Sequence, residues 1–133
     1  MIEISFPLRK HDYVFVPGVV YRGRKQILID FLLDTGASMT MIDPQFMASI
    51  GYSRDCKDYL GPATVSGPSG KECGYRICVE KMLIHMPQFF LPEVEVICIR
   101  PEKTIGALLG INFLKHFHYC INHRDHILKL KKI

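Results

Sequence analysis

Apolar residues recur at every second position over much of this chain, which is the spacing of a half-buried strand rather than of a helix. In MIEISF the alternation sets Ile2, Ile4 and Phe6 on one face. YVFVPGVVY and QILIDFLL are two further strands, and the polar turn Arg22-Gly23-Arg24-Lys25 between them predicts a hairpin. The second run is apolar enough to suit a buried strand, yet it ends on the carboxylate of Asp34. ATVSGPSGKECGYRICVEKMLI predicts two strands around a tip of Ser66, Gly67, Pro68, Ser69 and Gly70. EVEVICI is another strand and IGALLG a short apolar run. HYCIN and HILKLKKI flank the turn His123-Arg124-Asp125, and Leu128 and Leu130 alternate there with Lys129 and Lys131.

Helical signals are few. MIDPQFMASIGY carries the clearest: Asp43 suits an N-cap, Pro44 the first helical position, and Gly51 the end. INFLKHF suits a further turn or two. No repeat, linker or low-complexity tract interrupts the chain, so its 133 residues predict one domain over residues 1–133, with a core that needs no disulfide staples.

Composition narrows the setting. Apolar residues make up 48% of the chain, which argues against disorder. The apolar runs are broken by Asp30, Asp34, Pro92, Glu93 and Glu95, well short of the roughly 20 residues of a membrane-spanning helix. No basic stretch followed by an apolar one opens the sequence, and Cys56, Cys73, Cys78, Cys98 and Cys120 form no CxxC pair; a reducing, cytoplasmic setting is the expectation. The net charge of +4 includes the tail LKLKKI. Such lysines commonly discourage strand-edge pairing, so neither a nucleic acid nor a membrane is expected as a partner. His116, His118, Cys120, His123 and His126 match no common zinc spacing; no metal and no cofactor are expected.

Asp34-Thr35-Gly36 by itself also makes an ordinary turn. Its context is more specific: the acid directly follows an apolar strand, Ala37 and Ser38 extend the pattern, and ALLGINFL follows some seventy residues later. With these residues the chain resembles the retropepsin-like aspartic proteases, single-domain relatives of retroviral protease and of the pepsins, over about Val14 to Leu130. The order hairpin, LLDTGAS, short helix, glycine-rich hairpin, LLG and helix carries the likeness. It implies a mainly β fold: a single-domain, closed or partly open β-barrel with a flap hairpin and one or two short helices.

The chemistry of such a site needs two carboxyls, one to take a proton from water and one, protonated, to polarise a peptide carbonyl. This chain has a single Asp-Thr-Gly, so the second acid has to come from a second copy, and the resemblance implies an aspartic endopeptidase active as a homodimer on a protein or peptide substrate. Asp34 is then the catalytic acid. Thr35 resembles the residue whose hydroxyl reaches the partner's backbone, Gly36 the residue that admits an amide to the carboxylate, and Ala37 and Ser38 complete the loop. Pepsins usually place a hydroxyl residue where Ala37 stands, which implies an optimum less acidic than theirs.

Ser66, Gly67, Pro68, Ser69 and Gly70 resemble a flap that closes over substrate, the alternative being an ordinary surface loop. Leu109 and Gly110 resemble the family's second glycine motif, packed behind the active-site loop, and Asn112 replaces an acid common among bacterial relatives without an expected effect on chemistry. Asp30 stands about 13 Å from Asp34 along a strand, too far to share its proton, and is expected to face solvent or to pair with a base such as Arg22 or Arg24. The terminal segments Met1 to Leu8 and Ile127 to Ile133 could interleave with a second copy. A catalytically silent dimer that binds a peptide in the same cleft is the competing reading.

Overall fold

The computed structural model describes residues 2–5, 13–67, 70–84, 89–125 and 127–133. Ten strands and two short helices follow one another: β1 (Ile2–Ser5), β2 (Phe15–Arg22), β3 (Lys25–Leu33), β4 (Thr40–Ile42), α1 (Pro44–Ser49), β5 (Tyr59–Gly67), β6 (Gly70–Ile84), β7 (Phe90–Cys98), β8 (Ala107–Leu109), α2 (Ile111–Leu114), β9 (Phe117–Asn122) and β10 (Ile127–Lys132).

The expected hairpin is β2–β3, closed by Gly23 and Arg24 with Arg22 opposite Lys25. Six strands run β2-β3-β8-β4-β7-β6, and β2 pairs again with β6 from Gly18↔Ile84 to Tyr21↔Lys81, which closes the ring into a barrel. β5 is added on the outside of β6, and the two form a long hairpin whose register ends at Gly67↔Gly70. Closure removes the edges that an open sheet would expose.

Alternation fills the interior. Val16, Val20, Phe31, Ile42, Ile77, Val79, Val96, Leu109 and Phe113 are wholly buried inside it. β3 differs from the expectation of a buried strand: Ile29, Phe31 and Leu33 point inward, but Leu28 is 71% exposed, and Asp30 is exposed, as predicted. One wall of a barrel has a single apolar face, so half of an apolar run must face outward.

α1 begins as its sequence signal predicts. The Asp43 carboxylate accepts from Gln45 N at 2.9 Å, and Pro44 takes the first helical position. Tyr52, just beyond the helix, is fully buried; its hydroxyl donates to Tyr21 O at 2.7 Å and accepts from Glu80 N at 2.9 Å, joining the segment to β2 and β6.

The last two strands form a separate antiparallel sheet with the first, in the order β1-β10-β9. Ile2 lies opposite Leu130, and Lys129 opposite Cys120. Leu128 and Leu130 are buried while Lys129 and Lys131 are exposed. Phe117 stacks on Phe113 at 5.3 Å and meets Phe89 edge-on at 5.9 Å, tying this sheet to the barrel core. The terminal strands thus pair with each other inside one chain. His126 and residues 6–8 of the N-terminal segment lie outside the described residues. Among the described residues no His, Cys, Asp and Glu side chains converge to hold a metal, and no helix is long and apolar enough to cross a membrane.

Candidate active site

β3 delivers Asp34 to one end of the barrel. Leu33 N donates to Val14 O at 2.9 Å and Asp34 N to Leu109 O at 3.0 Å, so the chain is held on both sides as it leaves the strand. It then turns sharply: Ala37 N donates to Asp34 O at 3.3 Å, and Gly36 N to the Asp34 carboxylate oxygen Oδ1 at 2.9 Å. A Cβ on Gly36 would stand 3.3 Å from that same oxygen. Glycine therefore leaves the carboxylate room beside its amide donor. Asp34 and Ala37 are half-buried, and Thr35, Gly36 and Ser38 are exposed.

The loop is fastened from behind by α2. Ile111 N donates to Ala37 O at 2.8 Å and Asn112 N to Ser38 O at 3.1 Å. A Cβ on Gly110 would lie 2.5 Å from the Met39 carbonyl carbon and 2.8 Å from Thr40 N, so only glycine allows α2 this close. Leu109 completes the contact through its carbonyl, which holds Asp34 N.

Thr40 and Asn112 are the polar centre of this packing. Asn112 Oδ1 accepts from Thr40 N at 2.8 Å and from Thr40 Oγ1 at 2.9 Å. Asn112 Nδ2 donates to Glu95 O at 2.7 Å, and Thr40 Oγ1 accepts from Gly110 N at 3.1 Å. Thr40 is wholly buried. Four elements (β4, β7, the Gly110 turn and α2) are thereby pinned through two side chains. The sequence reading gave Asn112 no such part and passed over Thr40; a lone threonine between Met39 and Met41 was the available signal.

Asp34, Gly36, Ala37 and Ser38 open into a pocket of about 670 Å³. β5 contributes Thr64, Val65 and Ser66 to it, so the hairpin and the Asp34 loop share one cavity. Met39, Met41, Ile97, Pro101 and Leu108 supply its apolar lining. None of these five was singled out from the sequence, because they come from four separate segments. Of the predicted flap, Ser66 lines the pocket, Gly67 pairs with Gly70 at the hairpin end, and Pro68 and Ser69 lie outside the described residues. Thr35 is exposed beside the acid and is not among the residues that line the pocket.

A closed barrel with an Asp-Thr-Gly loop at the end of β3, buttressed by a glycine turn and a short helix, is retropepsin-like architecture. The family described as gag-polyprotein putative aspartyl protease matches residues 24–116, and the chain belongs to it. Three solved structures share the fold. A retropepsin-like aspartic protease from Rickettsia conorii aligns at TM-score 0.68 and 19% identity, covering 96% of this chain and 89% of that one. The retroviral protease-like domain of Ddi1 from Leishmania major gives 0.56 and 18%, covering 91% and 90%. Simian foamy virus (mac) protease gives 0.50 and 13%, covering 77% and 92%. No curated protein sequence matches the chain.

Proposed function

We propose that the protein is an aspartic endopeptidase that works as a homodimer, with Asp34 of each subunit forming one catalytic pair. The observation that carries this reading is a single carboxylate, held by Gly36 N at 2.9 Å, at the mouth of an open pocket of about 670 Å³. One acid does half of the chemistry. Two carboxylates brought to about 3 Å repel by roughly 5 kcal/mol at an effective dielectric near 20, so the pair retains one proton between them. The ionised member takes a proton from water, whose oxygen attacks the peptide carbonyl; the protonated member donates to the carbonyl oxygen. Collapse of the tetrahedral adduct then passes a proton to the departing amine and restores the shared proton.

In this reading Thr35, exposed beside the acid, braces the two loops across the axis. Residues 66–70 act as a flap, and the substrate lies as an extended strand between flap and loop, its side chains against Met39, Met41, Ile97 and Leu108. Asp34→Asn tests it. The substitution preserves size, so the variant is expected to fold and assemble as the wild type does while losing cleavage of a peptide library at mildly acid pH. A wild type that binds peptides but cleaves none between mildly acid and neutral pH supports the silent binding module instead.

A further inference from the structure

The net charge of +4 is gathered in one part of the chain. Residues 115–133 set Lys115, Arg124, Lys129, Lys131 and Lys132 against a single acid, Asp125, so this segment carries all of it and residues 1–114 balance. His116, His118, His123 and His126 lie in the same segment. Its acid is engaged locally: Asp125 Oδ2 accepts from Asn122 Nδ2 at 3.0 Å, and Asp125 N donates to Asn122 Oδ1 at 3.1 Å.

Folding lays this charge along one sheet face. Lys129 and Lys131 are exposed on the outer face of β10, opposite Cys120 and His118 of β9, which are exposed as well. Exposed Arg124 lies in the turn at one end of the two strands. Exposed Lys115 and His116 precede β9 at the other end, where Ile133 N donates to His116 O at 3.1 Å. The stripe therefore runs along roughly 20 Å of strand. Lys132 belongs to the opposite side, its ammonium 4.8 Å from the centre of the Phe90 ring. The expectation that lysines here guard a strand edge fails for Lys129 and Lys131, because β10 is the middle strand, with β1 on one side and β9 on the other. A sealed strand has no edge to guard. Within the sheet Glu3 is the one carboxylate, at the register position opposite Lys129, whereas Lys131 stands opposite His118.

We propose that the outer face of β1-β10-β9 binds the phosphate backbone of single-stranded nucleic acid. The inference is independent of the peptidase reading. One-sign charge concentrated on a single face raises the local concentration of a polyanion. Lys129 and Lys131 stand about 7 Å apart on one strand, so they meet successive charges of an extended chain. A flat three-stranded face about 10 Å across does not enter a duplex groove as a helix or a two-stranded ribbon does, but it is a platform on which an unpaired strand lies. Lipid fits less well: the exposed side chains of β9 and β10 on this face are His118, Cys120, Asn122, Lys129 and Lys131, and none is a large apolar group that would enter a bilayer. His118 is the one exposed ring among them, so base stacking adds little and binding is nearly independent of sequence.

The test is fluorescence anisotropy with labelled oligouridine and oligothymidine. Both are expected to bind. With about four phosphates neutralised, by Lys115, Arg124, Lys129 and Lys131, the Kd should rise about fiftyfold between about 50 and 200 mM salt. Lys115→Gln combined with Lys131→Gln should lower the salt slope by about 1.4 for both oligomers with an unchanged circular dichroism spectrum, and Arg124→Gln combined with Lys129→Gln should do the same. Absence of binding at about 50 mM salt, or a folded double variant whose slope matches the wild type's, overturns the inference. Tighter binding to polyglutamate, or to vesicles of phosphatidylserine and phosphatidylcholine, overturns it in favour of an acidic protein or a lipid surface. Each of these results leaves the peptidase reading standing, because none of the four side chains lines the Asp34 pocket.

Discussion

Asn112→Ala should cost far more than an ordinary polar surface substitution, although residue 112 never touches the pocket. The asparagine amide makes three bonds, from Thr40 N at 2.8 Å, from Thr40 Oγ1 at 2.9 Å and to Glu95 O at 2.7 Å. Alanine leaves the Thr40 amide and hydroxyl hydrogens without their acceptor at a residue that solvent does not reach. Stranding each of these two donors costs about 1–3 kcal/mol, and loss of the carbonyl's donor adds about 1 more, so a total of about 3–7 kcal/mol is expected. That is a large share of the roughly 5–15 kcal/mol that holds a domain folded. Asn112→Asp is the partial case: both Thr40 bonds keep an acceptor, while the second carboxyl oxygen faces Glu95 O and can donate to it only when protonated, so a loss smaller than alanine's is expected at mildly acid pH. With no tryptophan in the chain, urea unfolding is followed by far-ultraviolet circular dichroism at one fixed protein concentration, because dimerisation would make the midpoint concentration-dependent. An alanine variant that loses under about 1 kcal/mol, or an aspartate variant as damaged as the alanine one, would refute the idea that this network holds the active-site loop.

Gly110→Ala places a methyl 2.5 Å from the Met39 carbonyl carbon, and backbone cannot swing aside as a side-chain tip can; a loss of at least about 3 kcal/mol in the same unfolding assay is expected, and a near-neutral result would mean that α2 is free to shift. Stability should also fall in alkali. Burial pushes the Cys98 thiol from 9.0 up to about 12 and the Tyr52 phenol from 10.0 up to about 12. Each stays protonated in the folded chain where the unfolded chain has already ionised. Their contribution is therefore complete below pH 9 and is lost as pH rises from 9 toward 12; urea midpoints measured across that window should decline, Cys98→Ala should delay the onset toward pH 10, and a flat profile would contradict the assignment. At the loop, Ala37→Thr adds a hydroxyl beside the carboxylate and should move the cleavage optimum toward acid relative to the wild type, as read from kcat/KM profiles; an unmoved profile, or a wild-type optimum already at about pH 2–3, where isolated carboxyls are largely protonated, would remove alanine as the cause.

The parts of this fold that were legible are those whose signal is local. An apolar strand running into Asp-Thr-Gly, the Asp43-Pro44 helix start and the Gly23-Arg24 turn each fix their own geometry through neighbours in sequence. β4 and β8 do not. Three residues are too few to show a period, and Thr40–Ile42 becomes a strand only because β7 runs parallel to it on one side and β8 antiparallel on the other. β5 starts at Tyr59, earlier than its alternation suggests, because the ladder shifts register between Tyr59 and Gly61. The pocket lining was hidden for the same reason: Met41, Ile97 and Leu108 are separated by long stretches of chain and meet only when the barrel closes.

Everything that holds Asp34 is supplied inside one chain: Leu109 O and Val14 O grip the strand end, Gly36 N meets the carboxylate, and Thr40 and Asn112 lock the loop from behind. Among the described residues that line its pocket, Asp34 is the one carboxylate. A half-site built in this way has its geometry set before assembly, so association need not also order the loop, a cost that flexible sites pay on binding. In the proposed homodimer the second carboxyl then comes with the second copy. The proposed pairing suits that division of labour, because the isolated subunit keeps its fold and its pocket and lacks only the partner carboxyl with which to share a proton.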